Sequence, residues 1–447
     1  TEETLSGVKC INKRVLAGLL VVCVFVSVTG CGKAKSVVEN GYPVYGESSS
    51  VNVLSGAEDT VSSYFGANLC VGGTENIGQE SVEHNSVAEA AGVFNTATNT
   101  ITYAQNIYER MYPASTTKIL TAYLAIKYGN LSDVVTISDN AVNLASDSSK
   151  CGLQAGDQMT LQDLLYGLML RSGNDAAIAI AEHISGSVEA FVDLMNQEAQ
   201  QLGATGSHFM NPNGLPDENH YTTAHDLAIL MKYCMKNSTF RSLAGLKSCT
   251  IPATNKYEER IFKTTNDLLI YDNRDVESNY YYKYAIAGKT GYTTEAKNCL
   301  VSVANKDNFE LISVVLGAGI YPNNLSAKFV DTKAIFDYGY DNYAIRKIRD
   351  KNAIATQITV DKASKDTRNL DLLISDDITA IVSQNDLKTE FIPVINVQEN
   401  LSAPIAQGQV LGKIIYNIDG IEYSSNLIAS HSVEKSTFGI FIFQMVL

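Results

Sequence analysis

The spacing of apolar positions divides the chain into a helical middle flanked by strands. Amphipathic helices are predicted in six windows: 117–128, 161–170, 175–184, 188–202, 224–234 and 327–338. Apolar and small residues alternate over 87–103 around a turn at 95–99, which predicts a hairpin. Further strands are predicted at 283–287, 298–304 and 309–317. Because strands lie at both ends of the run of helices, the pattern predicts one α/β domain.

Beyond about residue 345 the pattern changes to short strands separated by turn residues. Six strands are predicted there: 355–360, 370–374, 378–383, 390–397, 409–416 and 421–429. Short strands at this spacing are typical of a small β-sandwich, which we expect over 350–432. The short apolar tail within 433–447 cannot span a bilayer. A truncated anchor, an interfacial segment and an edge strand all fit its sequence.

The N-terminal segment has the layout of an export signal. Lys13 and Arg14 precede an apolar run over 15–28, which ends in Val28-Thr29-Gly30-Cys31. These four residues resemble a bacterial lipobox, in which the cysteine becomes the lipid-bearing first residue of the mature protein. We therefore expect a signal peptide over 1–31 with Cys31 as lipid anchor, and a spacer over 32–80. An ordinary cleaved signal and an uncleaved anchor are the alternatives.

Composition narrows the class of protein further. A chain of 447 residues with 45% hydrophobic residues can form the cores of two domains. Its net charge of −14 argues against a nucleic-acid partner, since phosphate binding requires clustered Lys and Arg. Of its eight cysteines, five remain beyond the N-terminal segment, without a CxxC motif. We expect these five to be buried thiols, with room for one incidental pair, and not a disulfide framework.

Three short motifs carry the candidate chemistry. They are Ser115-Thr116-Thr117-Lys118, Ser172-Gly173-Asn174 and Lys289-Thr290-Gly291, in this order. Each motif alone is common by chance. Together, in this order, they form the signature of class A β-lactamases and penicillin-binding proteins. The signature predicts covalent catalysis by a serine.

The residue types suit that chemistry. A serine hydroxyl becomes a good nucleophile only when a base takes its proton, and on a helix Lys118 would lie one turn after Ser115. A helix beginning near Ser115 also supplies free backbone N–H groups for a developing oxyanion. Burial and a nearby cation would lower the pKa of such a lysine.

The other two motifs supply groups for the substrate. Ser172 and Asn174 are predicted on a turn between two helices, where Ser172 could pass a proton to a leaving amine and Asn174 could hold an amide. Lys289 and Thr290 are predicted near the end of a strand. A cation beside a hydroxyl suits a terminal carboxylate, and Gly291 leaves room for a substrate backbone.

The similarity to a known family extends beyond these motifs. The stretches 161–182 (LQDLLYGLMLRSGNDAAIAIAE), 209–215 (FMNPNGL) and 287–293 (AGKTGYT) resemble the serine D-Ala-D-Ala carboxypeptidases, the low-molecular-mass penicillin-binding proteins. The similarity covers roughly 85–340, and the later β segment resembles the C-terminal β-domain of that family.

The resemblance implies a fold and a site. The fold is a penicillin-binding/β-lactamase-like transpeptidase domain over 81–342, α/β (α+β) with an antiparallel sheet flanked by helices and a helical subdomain, followed by a small all-β sandwich. The roles it implies are nucleophile for Ser115, base for Lys118, helpers for Ser172 and Asn174, carboxylate binders for Lys289 and Thr290, and an oxyanion hole from the backbone N–H groups of Ser115 and Tyr292.

The implied activity is removal of the terminal D-alanine from peptidoglycan stem pentapeptides through an acyl-enzyme. The implied partners are the stem peptide, β-lactam antibiotics as acylating inhibitors and the membrane surface, which the chain would reach through its N-terminal anchor, with no cofactor and no metal. A class A-like β-lactamase is one alternative, although no Glu-x-x-Leu-Asn lies between the second and third motifs. A catalytically silent wall-binding protein is the other, and the intact motifs argue against it.

Overall fold

The fold is described from a computed structural model that covers residues 87–96, 100–271 and 280–436. It also gives two short strands, β1 (Ser36–Val37) and β2 (Pro43–Val44), which pair antiparallel. The predicted lipid anchor, Cys31, and most of the apolar tail lie outside the described residues. Within the described part of the chain, no helix has both the length and the apolar character needed to cross a bilayer.

A five-stranded antiparallel sheet forms the centre of the first domain. Its spatial order is β4-β3-β11-β10-β9, so β9 lies at one edge. The strands are β3 (Ala90–Asn95), β4 (Ile101–Gln105), β9 (Ala285–Thr293), β10 (Lys297–Lys306) and β11 (Phe309–Ala318). The predicted hairpin and the last two strands are confirmed. Strand β9 begins two residues later than predicted, because residues 283 and 284 form a turn.

The central strands are covered on both faces, as their nearly continuous apolar sequences require. On β11, Ile312 and Val314 belong to the core beneath the helical subdomain. Leu311 and Val315 belong to the core on the opposite face, with Phe336 of the last helix. The sheet therefore holds the edge strand β9 between two packed layers.

Eight α-helices are found in the described residues. They are α1 (Lys118–Tyr128), α2 (Asp139–Val142), α3 (Leu161–Leu170), α4 (Asn174–Ser185), α5 (Val188–Leu202), α6 (Ala224–Lys236), α7 (Ser238–Ala244) and α8 (Ala327–Asn342). Local sequence sets several ends. The side chains of Thr160, Ser187 and Thr223 cap the N-termini of α3, α5 and α6, and left-handed Gly186 ends α4.

Two small hairpins complete the helical subdomain. Strand β5 (Val134–Thr136) pairs with β6 (Gln158–Thr160), and β7 (Ser248–Ile251) pairs with β8 (Arg260–Lys263). The amide of Asn255, between β7 and β8, bonds to the backbone of residues 156 and 158. The second hairpin is therefore tied to the turn before β6.

The C-terminal part is all β, as predicted. One sheet has the order β13-β14-β18-β17-β16, and β12 pairs separately with β15. The strands are β12 (Tyr343–Arg349), β13 (Ile354–Thr359), β14 (Asn369–Ile374), β15 (Ile378–Ser383), β16 (Val394–Val397), β17 (Val410–Ile418) and β18 (Ile421–Ala429). Strand β12 falls in the interval between the two predicted domains, whose limits stay predictions.

Candidate active site

The first motif begins a helix and places Ser115 beside the amine of Lys118. A 3-10 turn over Ala114–Thr117, the nucleophile turn, leads directly into α1. The Nζ atom of Lys118 lies 2.8 Å from Ser115 Oγ, 2.7 Å from Asn174 Oδ1 and 2.6 Å from the carbonyl oxygen of Asn213. One fully buried amine thus contacts the nucleophile and two carbonyl-type oxygens.

Burial decides the protonation state of this lysine. Burial, followed by the positive charge of Lys289, holds the pKa of Lys118 well below its usual value. A neutral amine has two hydrogens and one lone pair. The oxygens of Asn174 and Asn213 can accept the two hydrogens, which leaves the lone pair for the hydroxyl of Ser115. Lys118 is therefore arranged to accept the proton of that hydroxyl.

The second motif lies on the tight turn between α3 and α4. Ser172 has a positive φ of 58°, and Asn174 begins α4. The Nδ2 atom of Asn174 donates a hydrogen bond to Ser148 Oγ at 2.7 Å. Because this bond turns Nδ2 of Asn174 toward Ser148, the other end of the amide, Oδ1, faces Lys118.

The third motif lies on the edge strand β9. Lys289 Nζ donates to Ser172 Oγ at 2.9 Å and to the carbonyl oxygen of Thr290 at 2.8 Å. Burial, and then the positive charge of Lys328, lowers the pKa of Lys289 to about 7. Because Ser172 accepts a hydrogen bond from Lys289, its own hydroxyl hydrogen is available to a further acceptor.

Strand β9 passes against the backbone of the nucleophile turn. A Cβ added to Gly291 would lie 3.0 Å from the backbone nitrogen of Ser115, so a larger residue would press on that amide. The next residue, Tyr292, exposes 64% of its surface. Gly291 of the third motif thus lies against Ser115 of the first motif, and Lys289 of the third motif bonds to Ser172 of the second. The three motifs therefore border one space, the candidate substrate space.

Several groups around this space were not singled out as site residues from the sequence. Ser148 and Lys328 each lie in stretches with no motif, and the Asn213 contact uses a backbone carbonyl that no side-chain pattern reveals. The hydroxyl of Thr265 lies 2.6 Å from that of Thr290. The only sequence signal was the FMNPNGL block, which contains Asn213.

Among residues 87–96, 100–271 and 280–436, no group of three or more His, Cys, Asp or Glu side chains is placed to hold a metal ion. The four cysteines in these ranges are unpaired, and three of them are buried. The nearest to the second motif, Cys151, packs against Gly173.

The chain matches known proteins along most of its length. Residues 77–319 match the D-alanyl-D-alanine carboxypeptidase family, and residues 343–435 match the C-terminal domain of penicillin-binding protein 5. The chain belongs to the D-alanyl-D-alanine carboxypeptidase family. A relative in this family, the D-alanyl-D-alanine carboxypeptidase DacF of Bacillus subtilis, is 33% identical over 377 residues, which is 82% of this chain and 90% of that protein.

Solved structures of carboxypeptidase relatives share the fold. Penicillin-binding protein 5 from Haemophilus influenzae superposes with a TM-score of 0.64 at 30% identity, covering 78% of this chain and 98% of that one. A variant of the Streptomyces K15 DD-transpeptidase gives a TM-score of 0.52 at 33% identity, covering 58% of this chain and 99% of that one. The predicted fold and the predicted class, a serine-type carboxypeptidase, are confirmed. Neither the β-lactamase nor the silent wall-binding alternative is favoured by these relatives.

Proposed function

We propose that this carboxypeptidase removes the terminal D-alanine from peptidoglycan stem pentapeptides through an acyl-enzyme on Ser115. The observation that supports it is the position of Lys118 Nζ, which lies within hydrogen-bond distance of Ser115 Oγ, of Asn174 Oδ1 and of the carbonyl oxygen of Asn213. A general base in this position must be neutral at working pH, and the lowered pKa of Lys118 provides that state.

Acylation begins when Lys118 takes the hydroxyl proton and Ser115 Oγ bonds to the carbonyl carbon of the penultimate D-alanine. The carbonyl π electrons move to oxygen, where the backbone N–H groups of Ser115 and Tyr292 are the proposed donors. The C–N bond then breaks as the oxyanion collapses. The departing nitrogen takes the hydroxyl proton of Ser172, and Ser172 takes a replacement from Lys289, whose Nζ lies 2.9 Å away. Free D-alanine and an ester of Ser115 result.

Deacylation repeats the sequence with water as the nucleophile. The proton that Lys118 took from Ser115 passes to Lys289, where it replaces the proton that Lys289 gave to Ser172, so both amines regain their starting states. Water then gives one proton to neutral Lys118, and its oxygen adds to the ester carbon. Ser115 leaves and regains a proton, and the shortened peptide is released as a carboxylic acid. Each turnover thus consumes one water and restores the starting protons.

The terminal carboxylate of the substrate is the proposed partner of the cationic groups beside β9. Lys289 and the hydroxyl of Thr290 border the space, and the positive charge of Lys328 acts on Lys289. An arriving carboxylate would stabilise the charged form of Lys289. Lys289→Ala should therefore raise KM more for a substrate with a free carboxylate than for its C-terminal amide. Equal losses on the two substrates would contradict the carboxylate role.

The decisive experiment locates the acylated residue. Incubation with penicillin should add one covalent adduct, which peptide mass spectrometry should place on Ser115, and Ser115→Ala should remove it. Release of D-alanine from a pentapeptide should persist in EDTA. Persistent labelling of Ser115→Ala would remove Ser115 from its role, and rapid penicillin turnover would favour the β-lactamase alternative.

We also propose that the chain is exported and held on the extracytoplasmic side of the membrane through a lipid on Cys31, within the lipobox-like sequence at residues 28–31. Growth of an expressing bacterium on radiolabelled fatty acid should label the wild-type protein. Cys31→Ser should abolish the label, with Cys23→Ser as the matched control. Equal labelling of both variants would contradict the anchor.

A further inference from the structure

A buried histidine joins the two segments that position Lys118. His220 is 1% exposed. Its Nε2 atom lies 2.9 Å from Thr117 Oγ1 in the nucleophile turn. Its Nδ1 atom accepts a hydrogen bond from the backbone N–H of Met210 at 3.1 Å. The ring therefore connects the nucleophile turn to the 209–215 segment, which carries Asn213.

The hydrogen bonds fix the tautomer of His220. The backbone N–H of Met210 can only donate, so Nδ1 must accept and carries no hydrogen. A neutral ring then has its hydrogen on Nε2, where it donates to Thr117 Oγ1. The titratable groups that act on the ring are Asp217, His208 and, from α1, Lys118. Burial is the larger effect and lowers the pKa of His220 to about 4, so the ring is neutral at physiological pH.

The two segments that His220 joins each carry one of the atoms that Lys118 Nζ contacts. The nucleophile turn carries Ser115, and the carbonyl oxygen of Asn213 accepts from Lys118 Nζ. A second link between α1 and this segment, from Thr121 Oγ1 to the carbonyl oxygen of Pro212, measures 2.6 Å. The spacing between Ser115 and Asn213 thus depends on links that lie outside the substrate space.

We propose that His220 is a positioning residue for acylation, which holds the nucleophile turn and the 209–215 segment at the separation that directs the lone pair of Lys118 at Ser115. This inference rests on the proposed function. It adds a residue that touches neither substrate nor reacting atoms. Its loss should lower the rate of acylation at saturating ligand and leave KM nearly unchanged.

Two conservative variants separate the two bonds of the ring. Asparagine places an acceptor oxygen near the Nδ1 position and lacks the donor at Nε2, and His220→Asn should therefore lose the bond to Thr117. Glutamine places a donor near the Nε2 position, and His220→Gln should lose the bond to Met210. We expect each variant to slow acylation by penicillin about tenfold, and His220→Ala to slow it about a hundredfold, as expected for a small misplacement of reacting groups.

Thr117→Val removes the acceptor in the nucleophile turn at constant volume. It should slow acylation in the wild-type background and have no further effect in His220→Asn, which already lacks that bond. Thr332→Val is the matched control, because Thr332 is also fully buried and its hydroxyl, within the described residues, has no partner. It should acylate at the wild-type rate.

The outcomes distinguish this inference from the proposed function. Acylation of Ser115 at the wild-type rate in all His220 variants would overturn the inference and leave the function intact. Absence of acylation of Ser115 in the wild-type protein would overturn the function itself. Additive effects of Thr117→Val and His220→Asn would also overturn the inference. Near-ultraviolet circular dichroism checks folding, and the Thr117→Val and His220→Asn pair decides if His220→Ala does not fold.

Discussion

Gly214 offers a sharp test of how the nucleophile is placed. It follows Asn213 and has a φ of +89°, in the left-handed region. A Cβ added there would lie 1.8 Å from the carbonyl oxygen of Ala114 and 3.0 Å from the backbone nitrogen of Ser115. These neighbours are backbone atoms, so no side-chain rotation can relieve the contact. Gly214→Ala should therefore push the nucleophile turn away from its place.

The magnitude has two parts. An alanine in the left-handed region costs about 1–2 kcal/mol. Overpacking against fixed neighbours costs about 1–3 kcal/mol more, so the free energy of unfolding should fall by about 2–5 kcal/mol. Normal contact between Cβ and the carbonyl oxygen of Ala114 requires a shift of about 1–2 Å. A shift of that size at the nucleophile should slow acylation about a hundredfold or more.

The control for Gly214→Ala is Gly186→Ala. Gly186 ends α4 with a φ of +80°, and an added Cβ there would meet nothing within 4 Å. It should lose the same 1–2 kcal/mol of conformational energy, as an order of magnitude, and keep the wild-type acylation rate. Chemical denaturation gives the stability, and stopped-flow acylation by fluorescent penicillin gives the rate. If Gly214→Ala is acylated as fast as Gly186→Ala, contact with residue 214 does not set the position of Ser115.

Three further predictions use the same assays. Folding lowers the pKa of His220 from 6.5 to about 4, so as pH falls the unfolded chain takes up a proton at this residue before the folded chain does. The wild-type protein should therefore lose about 3 kcal/mol of unfolding free energy between pH 6.5 and 4, and His220→Gln should not show this loss. Parallel curves of stability against pH for the two proteins would refute the prediction. Ser148→Ala should slow acylation about tenfold by freeing the amide of Asn174, whereas Ser149→Ala should not. KM for a substrate with a free carboxylate should rise as pH passes the pKa of Lys289, because only the charged amine attracts the carboxylate. Lys328→Gln should raise the pKa of Lys289 above about 7 and move this rise of KM to higher pH; an unmoved rise would count against the charge of Lys328.

The parts of the site that sequence could predict are those set by local spacing. Ser115 and Lys118 are three residues apart at the start of a helix, so their contact follows from helical geometry once the helix is recognised. Lys289 lies 117 residues beyond Ser172, and only the known order of motifs related them. The general layout of strands and helices followed from apolar periodicity, since the central strands and main helices are long enough to show it.

The parts that sequence could not predict depend on contacts between distant segments. His220 lies 103 residues from Thr117, and nothing in either residue indicates that they meet. The Asn213 contact uses a main-chain oxygen, which every residue has. Strands of three or four residues, such as β5 and β7, are too short to show alternation, and they were missed for that reason.

The buried amines have a consequence for thermal stability. Lys118 is fully buried and Lys289 is 1% exposed, and within the described ranges neither forms an ion pair with a carboxylate. Burial without a counter-charge lowers the pKa of Lys289 to about 7, and an anion that binds beside it would favour its charged form. A non-hydrolysable ligand with a free carboxylate should therefore raise Tm by more than its neutral amide does at equal occupancy, because the ligand supplies the counter-charge that the fold omits.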